Sequence, residues 1–463
     1  MTARRPGPQG GNQHGGNQHA GKQVHLAAHF PGINSATVWT DPRSGSQIEF
    51  SSFEHLARTA ERGLFDFFFL AEGLRLREHQ GRIHDLDVVG RPEPITVLNA
   101  LAAVTDRLGL AATVNATFNE PYELARRFAT LDHLSGGRAA WNVVTSSDAF
   151  TGENFRRGGF LDRADRYTRA AEFVRTAREL WDSWTPEGVP RPFAHRGQHF
   201  DIAGEFGLPR SPQGYPVVIQ AGDSDEGREF AAATADVLFS GWGSGGCPPG
   251  RRGTRHGTLE AGRAFYADVK RRLAAHGRSA DDLKIMPGVG VVLGDTAAEA
   301  RERAAEVRRQ QVSPQNAILA LEQVWGTDLS AYDPDGPLPD TDPVADSGIT
   351  QGRTRRGDTV ETARQWRELA RRKGLSIRET VIEATSRISF VGTPEAVAAE
   401  IDTYVQREAA DGFILVPHLA PAGLDEFVDR VVPLLQERGV FRTEYEGTTL
   451  RSHLGLPEPV WKG

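Results

Sequence analysis

Nothing in this chain restricts its fold more than residues 119–147, NEPYELARRFATLDHLSGGRAAWNVVTSS. Leu124, Phe128, Leu131 and Leu134 recur at helical spacing, the run stops at Ser135-Gly136-Gly137-Arg138, and an apolar segment, 139–144, starts at once. A helix therefore delivers the chain through a short loop into a buried strand. A strand that apolar belongs to a parallel sheet covered on its outer face by helices. The polar residues at its end, Asn142 and 145–147, then fall where such folds place their chemistry.

The same rhythm continues on both sides of this passage. Strands are expected at 24–29, 65–71 and 108–113 before it, and at 216–220, 235–240, 284–293 and 412–416 after it. Helical patterns separate most of them, among them 53–62, a long run at 162–184, 259–276, 296–311 and 393–405. Residues 190–207, with Phe193, His195, His199 and Phe200 around Arg196-Gly197, read as a surface hairpin. With the central strand the count reaches eight. A succession of helix-separated strands without hairpin turns between them predicts a closed (β/α)8 barrel.

At 463 residues the chain fits one such barrel with excursions. Residues 1–22, rich in Gly, Gln, Asn and His, lack the apolar core of a signal peptide and read as a disordered leader. A single domain is expected over 23–442, with insertions at about 241–258 and 312–373, and a tail over 443–463. The first insertion is too rich in glycine, proline and arginine to pack. The second has an Asp/Pro/Gly-rich middle, 332–346, that offers little core. Both are candidate lids.

Charged residues are 25% of the chain and the formal net charge is -7, so no nucleic-acid partner is expected. The lone Cys247 rules out a disulfide framework and a cysteine-built metal site, and no metal is expected. No apolar run approaches the roughly 18 residues of a membrane span, so the expected location is cytoplasmic.

In a parallel barrel the strand ends share one rim, which here carries His29, Glu72, Thr113, Asn115, Asn142, Thr145 and Gly222-x-Ser224-x-x-Gly227. The last segment has two open readings. Its glycines, hydroxyl and helix start suit a phosphate, provided that Asp223, Asp225 and Glu226 point away; equally, Ser224 is an ordinary helix cap. A nucleophile elbow, a Walker loop and a His-Glu-x-x-His helix are all missing, and Gly288-Val-Gly290 lies inside a strand rather than in a dinucleotide loop. With so few reactive side chains, an organic cofactor that brings its own chemistry is the simplest expectation.

Several strings together resemble a known family: Phe65-Asp-x-x-Phe-Leu-Ala71, Asn119-Glu-Pro-Tyr-x-Leu-Ala-Arg126, Leu131-Asp-His-Leu-Ser-Gly-Gly-Arg138, Trp141-Asn-Val-Val-Thr-Ser146, Arg166-Tyr-x-Arg-Ala-x-Glu-Phe173, Gln220-Ala-Gly-x-Ser224 and the tail Tyr445-Glu-Gly-Thr-Thr-Leu-Arg-x-His-Leu-Gly-Leu-Pro457. They resemble the nitrilotriacetate monooxygenase component A branch of the bacterial-luciferase-like FMN-dependent monooxygenases, in order, over nearly all of 24–457. The resemblance implies a two-component oxidoreductase. A separate NAD(P)H:FMN reductase supplies reduced FMN, which takes up O2 as a C4a-(hydro)peroxyflavin and oxygenates a small organic substrate; a homodimer or higher homo-oligomer is expected.

Carried over residue by residue, the flavin contacts implied are Glu72, Thr113, Arg163, Tyr167 and Ser224. The family usually has Asp at the position of Glu72 and His at that of Arg163. The second change replaces a titratable ring by a fixed cation. His29 is the candidate general acid/base, with a packed histidine as the alternative. Two other readings stay open, a deazaflavin-dependent oxidoreductase on the same barrel and a flavin-binding protein without turnover.

Overall fold

The computed structural model describes residues 21–31, 37–38, 41–74, 92–145, 165–240, 259–344, 359–385 and 389–462. In chain order these form β1 (His25–His29), α1 (Phe50–Arg62), β2 (Phe67–Leu70), α2 (Pro94–Ala102), β3 (Gly109–Asn115), α3 (Pro121–Ser135) and β4 (Ala139–Val144). After α4 (Asp165–Asp182) comes the antiparallel hairpin β5 (Pro192–Arg196) and β6 (Asp201–Glu205), as expected for 190–207. Then follow β7 (Val217–Gln220), α5 (Asp225–Thr234), β8 (Val237–Leu238), α6 (Leu259–Ala275), β9 (Lys284–Ile285), β10 (Gly288–Leu293) and α7 (Ala297–Gln311). The remainder holds α8 (Pro314–Trp325), α9 (Thr359–Lys373), α10 (Ile377–Thr385), β11 (Ser389–Gly392), α11 (Pro394–Gln406) and β12 (Gly412–Leu415).

The passage at α3 and β4 shows why the chain folds this way. Pro121 occupies the first turn, where its missing N–H costs nothing, and Leu124, Phe128 and Leu131 are buried. Gly136 ends the helix at φ +68°, a left-handed conformation that suits glycine, while the Gly137 N–H donates to the Asp132 carbonyl at 2.8 Å. Leu134 departs from the expectation: it is 66% exposed. Ten residues along a helix bring it back about 80° away from Leu124, off the buried stripe.

Parallel pairing runs β12-β1-β2-β3-β4-β7-β8, and the run 284–289 closes the circle. On one side the N–H groups of Met286 and Gly288 donate to Leu238 and Ser240 carbonyls at 2.9 and 3.1 Å. On the other, those of Ile414 and Val416 donate to Pro287 and Val289 carbonyls at 3.0 and 2.8 Å. The eight-stranded barrel is therefore closed, with β9 and β10 acting as one strand. The sequence reading missed β11, a short parallel strand that pairs with the outer half of β10 from Gly290 to Leu293.

Alternation along each strand separates two cores. Ala27, Phe67, Phe69, Ala111, Ala140, Ile219 and Ile414 face the lumen. Leu26, Phe68, Leu110, Ala112, Trp141 and Val218 face the helices. Trp141 is fully buried, and its indole N–H is satisfied by the Val114 carbonyl at 3.0 Å. Burying a large side chain of this kind contributes about 2 to 3 kcal/mol.

Two segments hold more structure than their composition suggested. The 312–373 stretch contains α8 and α9, which with α10 enclose a small core of Leu321, Trp325, Leu329, Ala363 and Ile377. Its polar middle wraps that core: the Trp325 indole donates to the Thr341 carbonyl at 2.8 Å, and Leu338 packs alongside.

The tail turns back under the barrel, where Leu450, Leu454 and Leu456 join the lumen core. A Cβ on Gly109, at the start of β3, would stand 2.8 Å from the Asp66 carbonyl oxygen and 2.6 Å from the Leu450 side chain, so a glycine is required there. A buried ion pair pins the tail, Arg451 to Asp236 at 3.1 Å, and another, Arg442 to Asp66 at 2.5 Å, anchors the residue from which it departs. The plug closes the N-terminal end of the lumen, so a ligand enters from the opposite mouth.

Candidate active site

That opposite mouth is built from the C-terminal ends of the strands. Deepest is the pair Thr113 and Asn142, adjacent in register on β3 and β4 and two residues beyond the lumen-facing Ala111 and Ala140. Thr113 is 7% and Asn142 3% exposed. The Asn142 amide donates to the Thr113 hydroxyl oxygen at 3.0 Å, and its own carbonyl oxygen has no hydrogen-bond partner. His29, at the end of β1, is buried with its ring 5.2 Å from that of Phe69, which in turn meets Phe239 edge-on at 5.5 Å.

Above this layer, Glu72 reaches across from β2 to accept the backbone N–H of Asn115 at 3.0 Å. Burial lifts its carboxyl to about 7; the Asn115 bond opposes the rise, Glu93 adds to it and Arg127 opposes it. Asn115 continues the polar edge. Its side chain accepts from the Thr117 and Phe118 N–H groups at 2.6 and 3.2 Å, and its carbonyl accepts from Asn119 at 2.7 Å.

At β7 the chain turns tightly into α5. A Cβ on Gly222 would meet the Cα of Gly227 at 2.9 Å, which accounts for both glycines. The Ser224 hydroxyl accepts from the Gly227 N–H at 3.1 Å, so the capping half of its two readings is realised. Of the three acids that would repel an anion, Asp225 is paired, with Arg228 at 2.7 Å and with Arg272 of α6 at 2.9 Å. Tyr167, in the first turn of α4, leans on α5 with its ring 6.0 Å from Phe230, and the Arg166 guanidinium lies 4.8 Å over it. Tyr167 and Ser224 thus both adjoin α5, one by packing on Phe230 and the other as its cap, while Thr113 and His29 line the lumen. Arg163 and the 241–257 flap lie outside the described residues.

One rim residue escaped the sequence reading. His418 follows β12, and burial together with the nearby Arg43 guanidinium holds its imidazole below the usual range, against the pull of Asp41. Its carbonyl accepts the Val38 N–H at 2.7 Å, and Arg43 is clamped on Asp41 through bonds of 3.0 and 2.7 Å. Only its position three residues past a strand end pointed to it. Among the described residues no cluster of His, Cys, Asp and Glu suits a metal ion, and no helix is long and apolar enough to cross a membrane.

The sequence profile of the luciferase-like monooxygenases matches residues 32–411. Nitrilotriacetate monooxygenase component A of Aminobacter aminovorans is 40% identical over 444 residues, covering 90% of this chain and 92% of that one. Among solved structures, EDTA monooxygenase from Chelativorans sp. BNC1 superposes with a TM-score of 0.70 at 29% identity, covering 94% of this chain and 99% of that one. A riboflavin lyase solved with modified FMN and riboflavin gives a TM-score of 0.71 at 29% identity, with coverages of 94% and 97%.

Proposed function

The chain belongs to the luciferase-like monooxygenase family, and from that premise we propose that it is the oxygenating component of a two-component system: it takes reduced FMN from a separate NAD(P)H:FMN reductase and oxygenates a small organic substrate with O2. The observation that carries this reading is the unsatisfied hydrogen-bonding pair Thr113 and Asn142 in a lumen plugged at its far end. A flat, polar-edged ring fits such a mouth better than a purely apolar ligand.

Bound reduced flavin supplies the electrons and the site of O2 activation. The protein's part is to bind, orient and exclude water. Thr113 and Glu72 take the ring and the α5 start takes the phosphate, where Ser224 holds the first turn open to an anion and Asp225 is neutralised by its arginines. Tyr167 flanks the phosphate arm, and Arg163 is assigned to the flavin from the family resemblance alone. Phe69 and Phe239 dry the lumen beneath the ring. His29, buried beside Phe69, is the residue we assign to proton transfer. Substrate choice falls to segments around the mouth, with 241–257 directly following β8. A cytoplasmic location, beside the NAD(P)H pool, goes with this reading.

Anaerobic titration with photoreduced FMN tests it. Saturable binding is expected, and no binding overturns the reading.

A further inference from the structure

We infer that Glu172 is a positioning residue for the phosphate arm of the ligand: it organises the turn between β5 and β6, and that turn sets the first turn of α4, on which Tyr167 stands. The inference rests on the flavin reading above and adds to it a part built on the hairpin, outside the barrel.

Glu172 is only 5% exposed, and among the described residues no lysine or arginine is paired with it. Its partners are four N–H groups instead. The backbone N–H groups of Gln198, His199 and Phe200 donate to its carboxylate at 3.1, 3.0 and 3.0 Å, and the His195 ring nitrogen Nε2 stands 3.2 Å away. Burial pushes the carboxyl up, but the His199 N–H, the His195 ring and the Phe200 N–H outweigh it and hold the group below its ordinary value. A Cβ on Gly197 would overlap this carboxylate, so the turn closes directly on it. The other nitrogen of the His195 ring lies 2.7 Å from Glu179, further along α4.

From Glu172 the turn reaches back toward the start of the helix. The His199 ring lies 3.2 Å from the Thr168 hydroxyl, which itself donates to the Asp165 carbonyl at 2.8 Å. The Arg169 guanidinium lies 4.4 Å over the Phe200 ring and donates to the Asn119 carbonyl at 3.1 Å, which ties the same stretch to the chain entering α3. Thr168 and Arg169 directly follow Tyr167.

These links matter because the helix start has little packing of its own. Asp165 and Thr168 are exposed, Arg166, Tyr167 and Arg169 are half-buried, and the buried stripe begins only at Ala170. A helix end held by so few apolar contacts frays, whereas a binding group has to stay within about 0.5 Å of its working place. The barrel does not need the hairpin, which pairs with none of its strands. What the hairpin holds is the end of α4 that carries Tyr167 toward α5.

The test is anaerobic titration of the full-length chain with photoreduced FMN, and separately with photoreduced riboflavin, which lacks the phosphate, for wild type, Glu172→Gln, Thr168→Val and the double variant. Glu172→Gln keeps the shape but turns one acceptor oxygen into a donor facing other donors. Its Kd for FMN should rise about tenfold, with riboflavin changed less than about twofold. Thr168 is exposed, so Thr168→Val spares the fold while cutting the link to His199, and about a threefold rise for FMN is expected. In the double variant the losses should fall short of the product, because both act along one path. Amide hydrogen exchange over residues 165–170 of the unliganded protein should be faster in each variant.

Loss of FMN affinity with riboflavin affinity kept supports the inference. Wild-type FMN affinity in folded variants overturns it and leaves Glu172 as an anchor for the hairpin alone; equal losses for the two ligands overturn it as well. Should Glu172→Gln fail to fold, Thr168→Val decides by the same two outcomes. A wild-type chain that binds neither flavin sinks the flavin reading, and the inference with it.

Discussion

The backbone N–H of Asn115 donates across 3.0 Å to the carboxylate of Glu72, joining the ends of β2 and β3 through a group that burial holds at about 7. The sign of the resulting pH effect follows directly. Between the ordinary carboxylate value of 4.5 and about 7, the unfolded chain releases this proton and the folded chain keeps it. Stability therefore falls as pH rises through that window.

Glu72→Gln keeps an acceptor for Asn115 and removes the titration. Relative to wild type, the variant should gain stability between pH 4.5 and 8, by about 3 kcal/mol at most, since each unit is worth ~1.4 kcal/mol. Urea unfolding at both pH values checks this. A difference between the two proteins that does not change with pH would contradict the role of burial.

Ser224 separates a structural task from a binding task. Asp is as good a helix cap as Ser, so Ser224→Asp should keep the bond from Gly227 while placing a negative charge at the proposed phosphate seat. FMN affinity should fall about tenfold or more, while affinity for riboflavin, which lacks the phosphate, should hold. Equal loss for the two ligands, measured by fluorescence titration, would move the phosphate elsewhere.

The plug under the barrel should be a major source of stability. Leu454→Ala removes a fully buried side chain from the lumen core and is expected to cost about 2 to 5 kcal/mol. Arg451→Met leaves Asp236 buried without its partner at 3.1 Å and should cost about 3 to 5 kcal/mol. Denaturant midpoints check both, and surface-like values below about 0.5 kcal/mol would show that the tail is not part of the core.

Asp66 adds an acid-side effect of opposite sign. Despite burial, Arg442 and His25 hold its carboxyl down at about 2. The contribution is present above the ordinary value of 3.8 and is lost as pH falls toward 2. Arg442→Met should therefore destabilise the protein near neutrality and shrink its further loss of stability between pH 4 and 2. An unchanged acid limb would contradict the pairing.

The barrel was legible in the sequence because its strands are nearly continuous apolar runs, a pattern that only a doubly covered parallel sheet requires. The tight, serine-capped turn into α5 was legible too, since Gly222, Ser224 and Gly227 each answer a local backbone demand. What was hidden depends on distant partners. Ser389 to Gly392 is too short to show a period, and it is a strand only because the outer half of β10 needs a neighbour. Leu450, Leu454 and Leu456 sit in a short polar tail, and no local signal says that they enter a lumen built hundreds of residues earlier. Asn142 was visible as a rim residue, but its unsatisfied oxygen appears only once Thr113 and Ile219 are beside it.

The central claim is that this barrel mouth holds reduced FMN and directs its reaction with O2. Rapid mixing of the anaerobic complex with oxygenated buffer tests that claim most directly, with absorbance followed from reduced to oxidised flavin. The account predicts a transient spectrum distinct from both end states, seen only with protein and shortened in life when the lumen pair Thr113 and Asn142 is made apolar. Oxidation on the same time course as free FMN, with no transient, would contradict it.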